Sequence, residues 1–170
     1  KHTGKIVVSQ MHQVVRWDGD IKADGTYLIT GGLRGLGWLV VEWLVERGAR
    51  YLLLMGRSAP SEDVHAKLRE LEASGAQIVV VQGDIAQEGD VNHVFDLLAA
   101  MPPLRGVMHA AGVLDDGALR SLNWSNYHTV FGPKVYGAWH LHERTRQSEL
   151  DFFVLFSSIA SLIGSAGQSN

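Results

Sequence analysis

The chain has 170 residues, of which 46% are hydrophobic and 19% charged, and its formal net charge is −3. This length and composition allow one ordinary buried core, and no excess of basic residues favours nucleic acid as a partner. The chain has no cysteines, no apolar run of membrane-spanning length and no secretory signal at its start, so we expect a cytoplasmic protein without disulfides. The eight histidines show no spacing that would place two of them on one helix face, so we expect no metal site.

A glycine-rich turn lies between the first predicted strand, Thr26 to Ile29, and a helical pattern. It reads Thr30-Gly-Gly-Leu-Arg-Gly-Leu-Gly37. Gly31 permits a tight exit from the strand, Gly35 lets backbone N–H groups approach a pyrophosphate, and Gly37 lets the helix pack close to the sheet. The spacing predicts a dinucleotide-phosphate site, and the alternative is an ordinary glycine-rich loop between a strand and a helix.

The next strand indicates which dinucleotide binds. The helix before it has an apolar face made of Leu39, Val40, Trp43 and Leu44. It stops at Gly48, and a second buried strand, Tyr51 to Met55, follows and ends in Gly56-Arg57-Ser58. A ribose 2′-OH calls for an acid near this point, whereas a 2′-phosphate calls for a cation. Arg57, with Arg34 from the glycine turn, therefore favours NADPH over NADH, unless both arginines are solvated surface charges.

The rest of the chain continues the alternation of helix and strand. The predicted elements are a helix capped by Ser61 with Val64, Leu68 and Leu71 on its apolar face, a strand from Gln77 to Gln82, a helix around Val91 to Leu98, a strand from Leu104 to His109, a helical region from Trp124 to Thr145 broken near Gly132-Pro133, and a strand from Asp151 to Phe156. This alternation predicts an α/β, doubly wound parallel sheet of Rossmann type with strand order 3-2-1-4-5. Residues 1–24 are predicted to be a preceding segment and linker.

Parallel strands end at one edge of a sheet, so three further segments are expected beside the glycine turn. They are Gly83-Asp84-Ile85, His109-Ala110-Ala111-Gly112 and Ser157-Ser158. Asp84 is suited to accept from an adenine amino group, the small residues let a ring and ribose lie against backbone, and Ser158 offers a hydroxyl to a carbonyl substrate. The alternatives are a helix cap for Asp84 and a backbone-bonded loop hydroxyl for Ser158.

Several motifs occur in a fixed order between Gly25 and Asn170. After the glycine turn come His109-Ala-Ala-Gly112, then Phe131-Gly-Pro-Lys134-Val-Tyr-Gly-Ala-Trp-His-Leu-His142, then Leu155-Phe-Ser-Ser158-Ile-Ala-Ser. Together they resemble the ketoreductase domain of modular, type I polyketide synthases, a member of the short-chain dehydrogenase/reductase superfamily. Several linked motifs are far more specific than the glycine turn alone.

This resemblance implies an NADPH-dependent reduction of a β-ketoacyl thioester, carried by the phosphopantetheine of acyl carrier protein, with neighbouring synthase domains as partners. It implies that Lys134 and Ser158 are catalytic: the serine orients the ketone oxygen, and the lysine lowers the pKa of a tyrosine that donates the proton. It also implies the D-configured product, because Leu114-Asp115-Asp116 matches the motif of that group and Ile163 stands where the opposite group has a Trp. The alternative for the two aspartates is a solvated turn.

In the family, the catalytic tyrosine follows the segment that corresponds to residues 164–170. The chain's tyrosines lie elsewhere, at Tyr27, Tyr51, Tyr127 and Tyr136. We therefore expect a fragment of a ketoreductase that lacks the C-terminal part of the fold and is inactive alone. Residues 2–8 resemble the tail of an enoyl reductase domain.

Two other classes of function remain open. One is a fatty-acid synthase ketoreductase or a free-standing reductase of a small ketone; the other is a non-catalytic half that binds NADP or acts as a scaffold. The candidate cofactor residues are Gly31, Gly32, Leu33, Arg34, Gly35, Leu36, Gly37, Arg57, Ser58, Asp84, Ile85, Ala110, Ala111 and Gly112.

Overall fold

Five strands form one parallel sheet in the computed structural model, which describes residues 20–169. The strands are β1 (Thr26–Thr30), β2 (Tyr51–Gly56), β3 (Gln77–Gln82), β4 (Leu104–His109) and β5 (Phe152–Leu155). Their order is β3-β2-β1-β4-β5, and every neighbouring pair is parallel. The predicted doubly wound fold and its strand order are therefore confirmed. All of β1 is buried because this central strand is covered on both faces.

Helices connect the strands and cover the two faces of the sheet. They are α1 (Gly35–Glu46), α2 (Glu62–Ala73), α3 (Glu88–Leu98), α4 (Trp124–Phe131), a π-helical turn (Gly132–Gly137), α5 (Ala138–Thr145) and α6 (Ala160–Ile163). Helices α1 and α2 pack in the core on one face, which includes Ile29 and Leu54. Helices α3 and α5 pack in the core on the other face, which includes Leu28 and Leu53. Successive residues of a strand point to opposite faces, so one strand serves both cores.

The buried face of α1 includes the predicted Leu44, and the predicted Val40 and Trp43 pack half-buried against the same core, but Leu39 does not. Leu39 is 59% exposed, and the buried positions are Gly37, Trp38, Val41, Leu44 and Val45. The reason is the contact at Gly37, where an added Cβ atom would overlap the carbonyl oxygen of Gly31. This close approach fixes the rotation of the helix about its axis, and the positions after Gly37 then turn toward the sheet.

The predicted helix ends agree with the local geometry. The Ser61 hydroxyl accepts from the backbone N–H of Val64 at 3.4 Å and so caps α2. Gly48 and Gly75, which follow α1 and α2, have positive φ angles of 106° and 97°. Pro133 has no N–H for an α-helical bond, and the predicted break occurs there as the π-helical turn.

The segment before β1 is described from Asp20 onward. Ile21 packs against the α1 core, and Lys22 forms an ion pair with Asp151 at 3.0 Å. The predicted enoyl reductase tail at residues 2–8 lies outside the described residues. Within residues 20–169, no helix has the length and apolar character needed to cross a membrane.

Candidate functional site

A cleft of about 1000 Å³ opens at the carboxyl ends of the central strands. Of the candidate cofactor residues, those that line it are Gly31, Leu33, Arg34, Gly35, Leu36, Gly37, Arg57, Ser58, Asp84, Ile85, Ala110, Ala111 and Gly112. Gly32 lies behind the turn, where an added Cβ would be 3.1 Å from Ile29. The structure therefore brings four segments, distant in sequence, to one concave surface where doubly wound sheets bind ligands.

The glycine turn forms one wall of the cleft, and its conformation requires glycine. Gly31 and Gly35 have positive φ angles of 72° and 53°. A Cβ on Gly31 would lie 2.8 Å from the backbone of Ala110 and Ala111, so the ends of β1 and β4 approach too closely for any side chain. The turn leads directly into α1, whose first turn has no side-chain cap and no acidic residue. Its first N–H groups are therefore suited to bind an anion.

Two arginines lie at this wall of the cleft. Arg34 belongs to the glycine turn, and Arg57 follows β2; both are exposed. The backbone oxygen of Arg57 accepts from the Gln82 side chain at 3.1 Å, so the loop after β2 is held by β3. The carboxylate that lines the cleft belongs to Asp84, which follows β3. The residues that line the cleft at the end of β2 include Arg57 and Ser58 but no carboxylate. This charge pattern suits a phosphate better than a ribose hydroxyl.

Asp84 forms the turn after β3. Its carboxylate accepts from the N–H of Ala86 at 3.0 Å, which is the bond of a local turn and not the predicted alternative of a helix cap, because the residue before α3 is Gln87; Asp84 also lines the cleft. Its own N–H donates to Asp90 in the first turn of α3 at 2.7 Å. Sequence reasoning missed Asp90, although an acid in the first turn of a helix is a recognisable signal.

His109 at the end of β4 is buried and hydrogen-bonded through both ring nitrogens. Nδ1 lies 2.6 Å from the Thr30 hydroxyl, and Nε2 lies 2.8 Å from the backbone oxygen of Pro133. Burial lowers the pKa of His109 below its ordinary value of 6.5, and the positive charge of Lys134 adds to this effect. The sequence placed His109 in a motif but did not indicate these partners.

Lys134 lies beside the cleft without lining it. Its ammonium donates to the backbone oxygen of Phe156 at 2.9 Å, at the end of β5. A Cβ on Gly112 would lie 2.8 Å from the Lys134 side chain, so the glycine leaves space for the lysine stem. Burial lowers the pKa of Lys134. The exposed Ser158 follows two residues after Phe156, and its hydroxyl accepts from the N–H of Ala160 at 3.2 Å, which is the bond of a local turn.

Both aspartates of residues 114–116 form hydrogen bonds with other side chains. Asp115 accepts from the Asn126 side chain at 3.0 Å, and Asp116 accepts from the Gln168 side chain at 2.9 Å. Leu114 lines the cleft and is largely exposed. The aspartates therefore connect the edge of the cleft at Leu114 to α4 and to the segment after α6.

The described residues, 20–169, contain no group of three or more histidines or acids that could hold a metal ion. Together, the parallel order of the sheet and the glycine turn at the central strand define a dinucleotide-binding fold of Rossmann type. The chain belongs to the KR domain family, whose model matches residues 25–170.

Named relatives agree with this assignment. A phenolphthiocerol/phthiocerol polyketide synthase protein of Mycobacterium tuberculosis is 41% identical over 181 residues, which cover 99% of this chain and 8% of that protein. A ketoreductase domain from the bacillaene assembly line is 35% identical with a TM-score of 0.80, over 85% of this chain and 35% of the other. A blue fluorescent protein from a metagenomic library, solved with NADPH, is 26% identical with a TM-score of 0.74, over 84% of this chain and 60% of the other.

The chain thus spans about 8% of the length of that mycobacterial relative. It belongs to the ketoreductase family, of the short-chain dehydrogenase/reductase type, as the sequence motifs predicted, and its relatives include a polyketide synthase subunit and an assembly-line ketoreductase domain.

Proposed function

We propose that the protein containing this chain uses NADPH to reduce a β-ketoacyl thioester, carried on acyl carrier protein, to the D-β-hydroxyacyl thioester during polyketide synthesis. The observation that carries the proposal is the cleft at the centre of the sheet, where the glycine turn, the start of α1 and Arg57 meet. Family membership and the synthase relatives support the substrate class.

The residues of the cleft fit NADPH. The uncapped start of α1 offers N–H groups to the pyrophosphate, and Gly31 and Gly37 allow the close backbone contacts that form the turn beside it. Arg57, Arg34 and Asp84 all line the cleft. In this proposal the two arginines bind the 2′-phosphate as charge-assisted donors, and Asp84 accepts from the adenine amino group. Ala110, Ala111 and Gly112 leave room for a flat ring beside the end of β4. When bound, NADPH supplies the hydride that reduces the ketone.

The chain's own residues then act on the ketone oxygen. The Ser158 hydroxyl donates a hydrogen bond to that oxygen and orients it. The resemblance assigns proton donation to a tyrosine, and the Lys134 ammonium, held by Phe156, lowers the pKa of a nearby phenol and stabilises the developing negative charge.

Activity of the full-length protein tests this function. NADPH consumption with a β-ketoacyl thioester is expected, and Lys134→Met and Ser158→Ala should each lower kcat by about a hundredfold or more. Ser125→Ala, an exposed serine on α4, is the matched control and should change nothing. Equal turnover of a small free ketone would favour a free-standing reductase, and binding of NADPH without turnover of either substrate would favour a scaffold role.

The product's configuration tests the stereochemical part separately. Chiral analysis of the hydroxyacyl product should show mainly the D form, as Leu114, Asp115 and Asp116 imply through the family resemblance. Predominance of the L form would contradict this part and leave the reductase function standing.

A further inference from the structure

The His109 ring connects three elements that are far apart in sequence. It lies at the end of β4, is 2% exposed, and bonds to β1 through Thr30 and to the π-helical turn through Pro133. A buried polar ring normally satisfies its own hydrogen bonds, but this ring does so with the residue directly before Lys134. The position of the turn is therefore coupled to the sheet by a side chain.

The chemistry of the partners fixes the tautomer. The Pro133 oxygen can only accept, so Nε2 carries the proton, and Nδ1 accepts from the Thr30 hydroxyl. The hydroxyl oxygen lies 3.4 Å from the N–H of Ala111, which donates to it. The three hydrogen bonds from Ala111 through Thr30 and His109 to Pro133 therefore all donate in the same direction, and the imidazole is neutral.

The same residues form a closed circuit around Lys134. The His109 backbone oxygen accepts from the N–H of Phe156 at 3.0 Å, and the Phe156 oxygen accepts from the Lys134 ammonium at 2.9 Å. Pro133, the neighbour of Lys134, closes the circuit, because its backbone oxygen lies 2.8 Å from Nε2 of the His109 ring. Hydrogen bonds therefore connect both the backbone next to Lys134 and the Lys134 ammonium, through Phe156, to His109.

Packing beneath the turn supports this role. A Cβ on Gly137 would lie 2.8 Å from Ile85 and 3.4 Å from the His109 ring, so the π-helical turn sits directly on these two side chains. π-Helical turns occur frequently at functional sites, where they place a side chain that a regular helix would direct elsewhere.

We propose that His109 is a positioning residue: it holds the π-helical turn against the sheet and thereby fixes the Lys134 ammonium beside Gly112 and Phe156. This inference rests on the proposed function, because it acts through the role given there to Lys134. His109 itself does not line the cleft.

The test uses the full-length protein with His109→Leu and His109→Gln. Displacement of a catalytic group by about 1 Å can cost on the order of a hundredfold in rate, so His109→Leu should lower kcat by about ten- to a hundredfold. The Kd of NADPH should change by less than about threefold, since the glycines of the turn and Arg57 are not replaced. His109→Gln should keep most of the rate, because its amide can donate to Pro133 as Nε2 does.

Val94→Ala is the matched control for lost stability, because Val94 is equally buried in α3 and has no part in the circuit. It should leave kcat unchanged. A comparable fall of kcat in Val94→Ala would show that any loss of core stability produces the effect, and would overturn the proposal.

A double-mutant cycle with Lys134→Met separates positioning from other causes. If His109 acts through Lys134, then His109→Leu should cause no further loss of kcat in the Lys134→Met background. Additive losses would overturn the proposal. Should His109→Leu fail to fold, Gly137→Ala, whose new Cβ would overlap Ile85 and so move the turn away from the sheet, should lower kcat and show the same non-additivity.

The two proposals fail differently. Unchanged kcat in Lys134→Met would contradict the role of Lys134 in the proposed function. A large loss in Lys134→Met with unchanged kcat in both His109→Leu and Gly137→Ala would contradict the positioning role alone.

Discussion

Arg57 lies exposed at the rim of the cleft, with its backbone held by Gln82 and its side chain available to a ligand. We predict that Arg57→Asp in the full-length protein weakens NADPH binding by about ten- to a hundredfold, the effect of losing a charge-assisted hydrogen bond of about 1.5–3 kcal/mol. NADH, which lacks the 2′-phosphate, should lose far less. Fluorescence titration with both cofactors measures the difference.

The matched control is Arg69→Asp, an exposed arginine on α2 outside the cleft, which makes the same charge change. It should affect the two cofactors equally and weakly, because a surface charge at a distance is screened by salt. Equal loss of NADPH and NADH binding in Arg57→Asp would show that Arg57 does not bind the 2′-phosphate.

Two glycines at helix starts give a second prediction. In Gly37→Ala, the new Cβ meets the backbone of Gly31, which cannot move away as a flexible side chain would. We expect a loss of about 3 kcal/mol or more in the free energy of unfolding, together with loss of NADPH binding. Gly89→Ala in α3 meets nothing within 4 Å and should be neutral or stabilising by about 0.5–1 kcal/mol. Urea denaturation of both variants measures this, and equal stability would contradict the tight contact.

The roles of single residues were predictable where they follow from spacing in the sequence. Gly31, Gly35 and Gly37 follow from the turn that joins a strand to a helix at a phosphate site. The bonds of His109 could not be predicted, because its ring partners lie 79 and 24 residues away and depend on how the sheet is assembled. The role proposed for Lys134 comes from the family resemblance alone, whereas Ser158 was also indicated by its position after the last strand.

At the scale of elements, α1 shows where periodicity fails. Its sequence is apolar on several sides, so the pattern alone did not separate Leu39, which is exposed, from Trp38, which is buried. The contact of Gly37 with Gly31 decides the rotation, and this contact belongs to the packing of the helix on the sheet. The break near Gly132-Pro133 was predictable from proline, but its π-helical form was not.

The link between β4 and the π-helical turn predicts a pH dependence of stability. Since burial holds the pKa of His109 below its ordinary 6.5, the unfolded chain binds more protons than the folded one as pH falls below 6.5. Stability is therefore complete above about pH 6.5 and is lost as pH falls toward the folded-state pKa, by at most about 1.4 kcal/mol per pH unit for one proton. Urea midpoints at about pH 7.5 and about pH 5.5 should differ in this direction.

His109→Gln removes the titrating group while keeping a donor to Pro133, so it should reduce that difference. His65→Gln on α2 is the control, because it removes an exposed histidine that is part of neither core. A pH dependence that is the same in both variants would show that other groups, and not His109, cause it.

For the whole molecule, connection rules made the sheet predictable: right-handed crossovers and alternating elements allow few orders, and 3-2-1-4-5 is the order found. Connection rules do not give the extent of the structural unit, and the expectation that part of the fold is missing came from the family resemblance. The chain aligns with 35% of the bacillaene ketoreductase chain, and several large apolar side chains from β5 to α6 are exposed. These are Val154, Leu155, Ile159, Leu162 and Ile163.

This exposure gives the last prediction, which concerns the 170-residue polypeptide by itself. Large apolar patches on a monomer bind apolar dyes and promote association, so we expect it to bind anilinonaphthalene sulfonate and to associate as its concentration rises. Replacing Ile159 and Ile163, which is 71% exposed, by serine should reduce both effects without unfolding the sheet, since neither side chain is buried. The control is Leu119→Ser, which removes an equally exposed apolar side chain from another segment. Sedimentation velocity and dye fluorescence measure the outcome, and a stable monomer that binds no dye would show that these side chains form no continuous apolar surface.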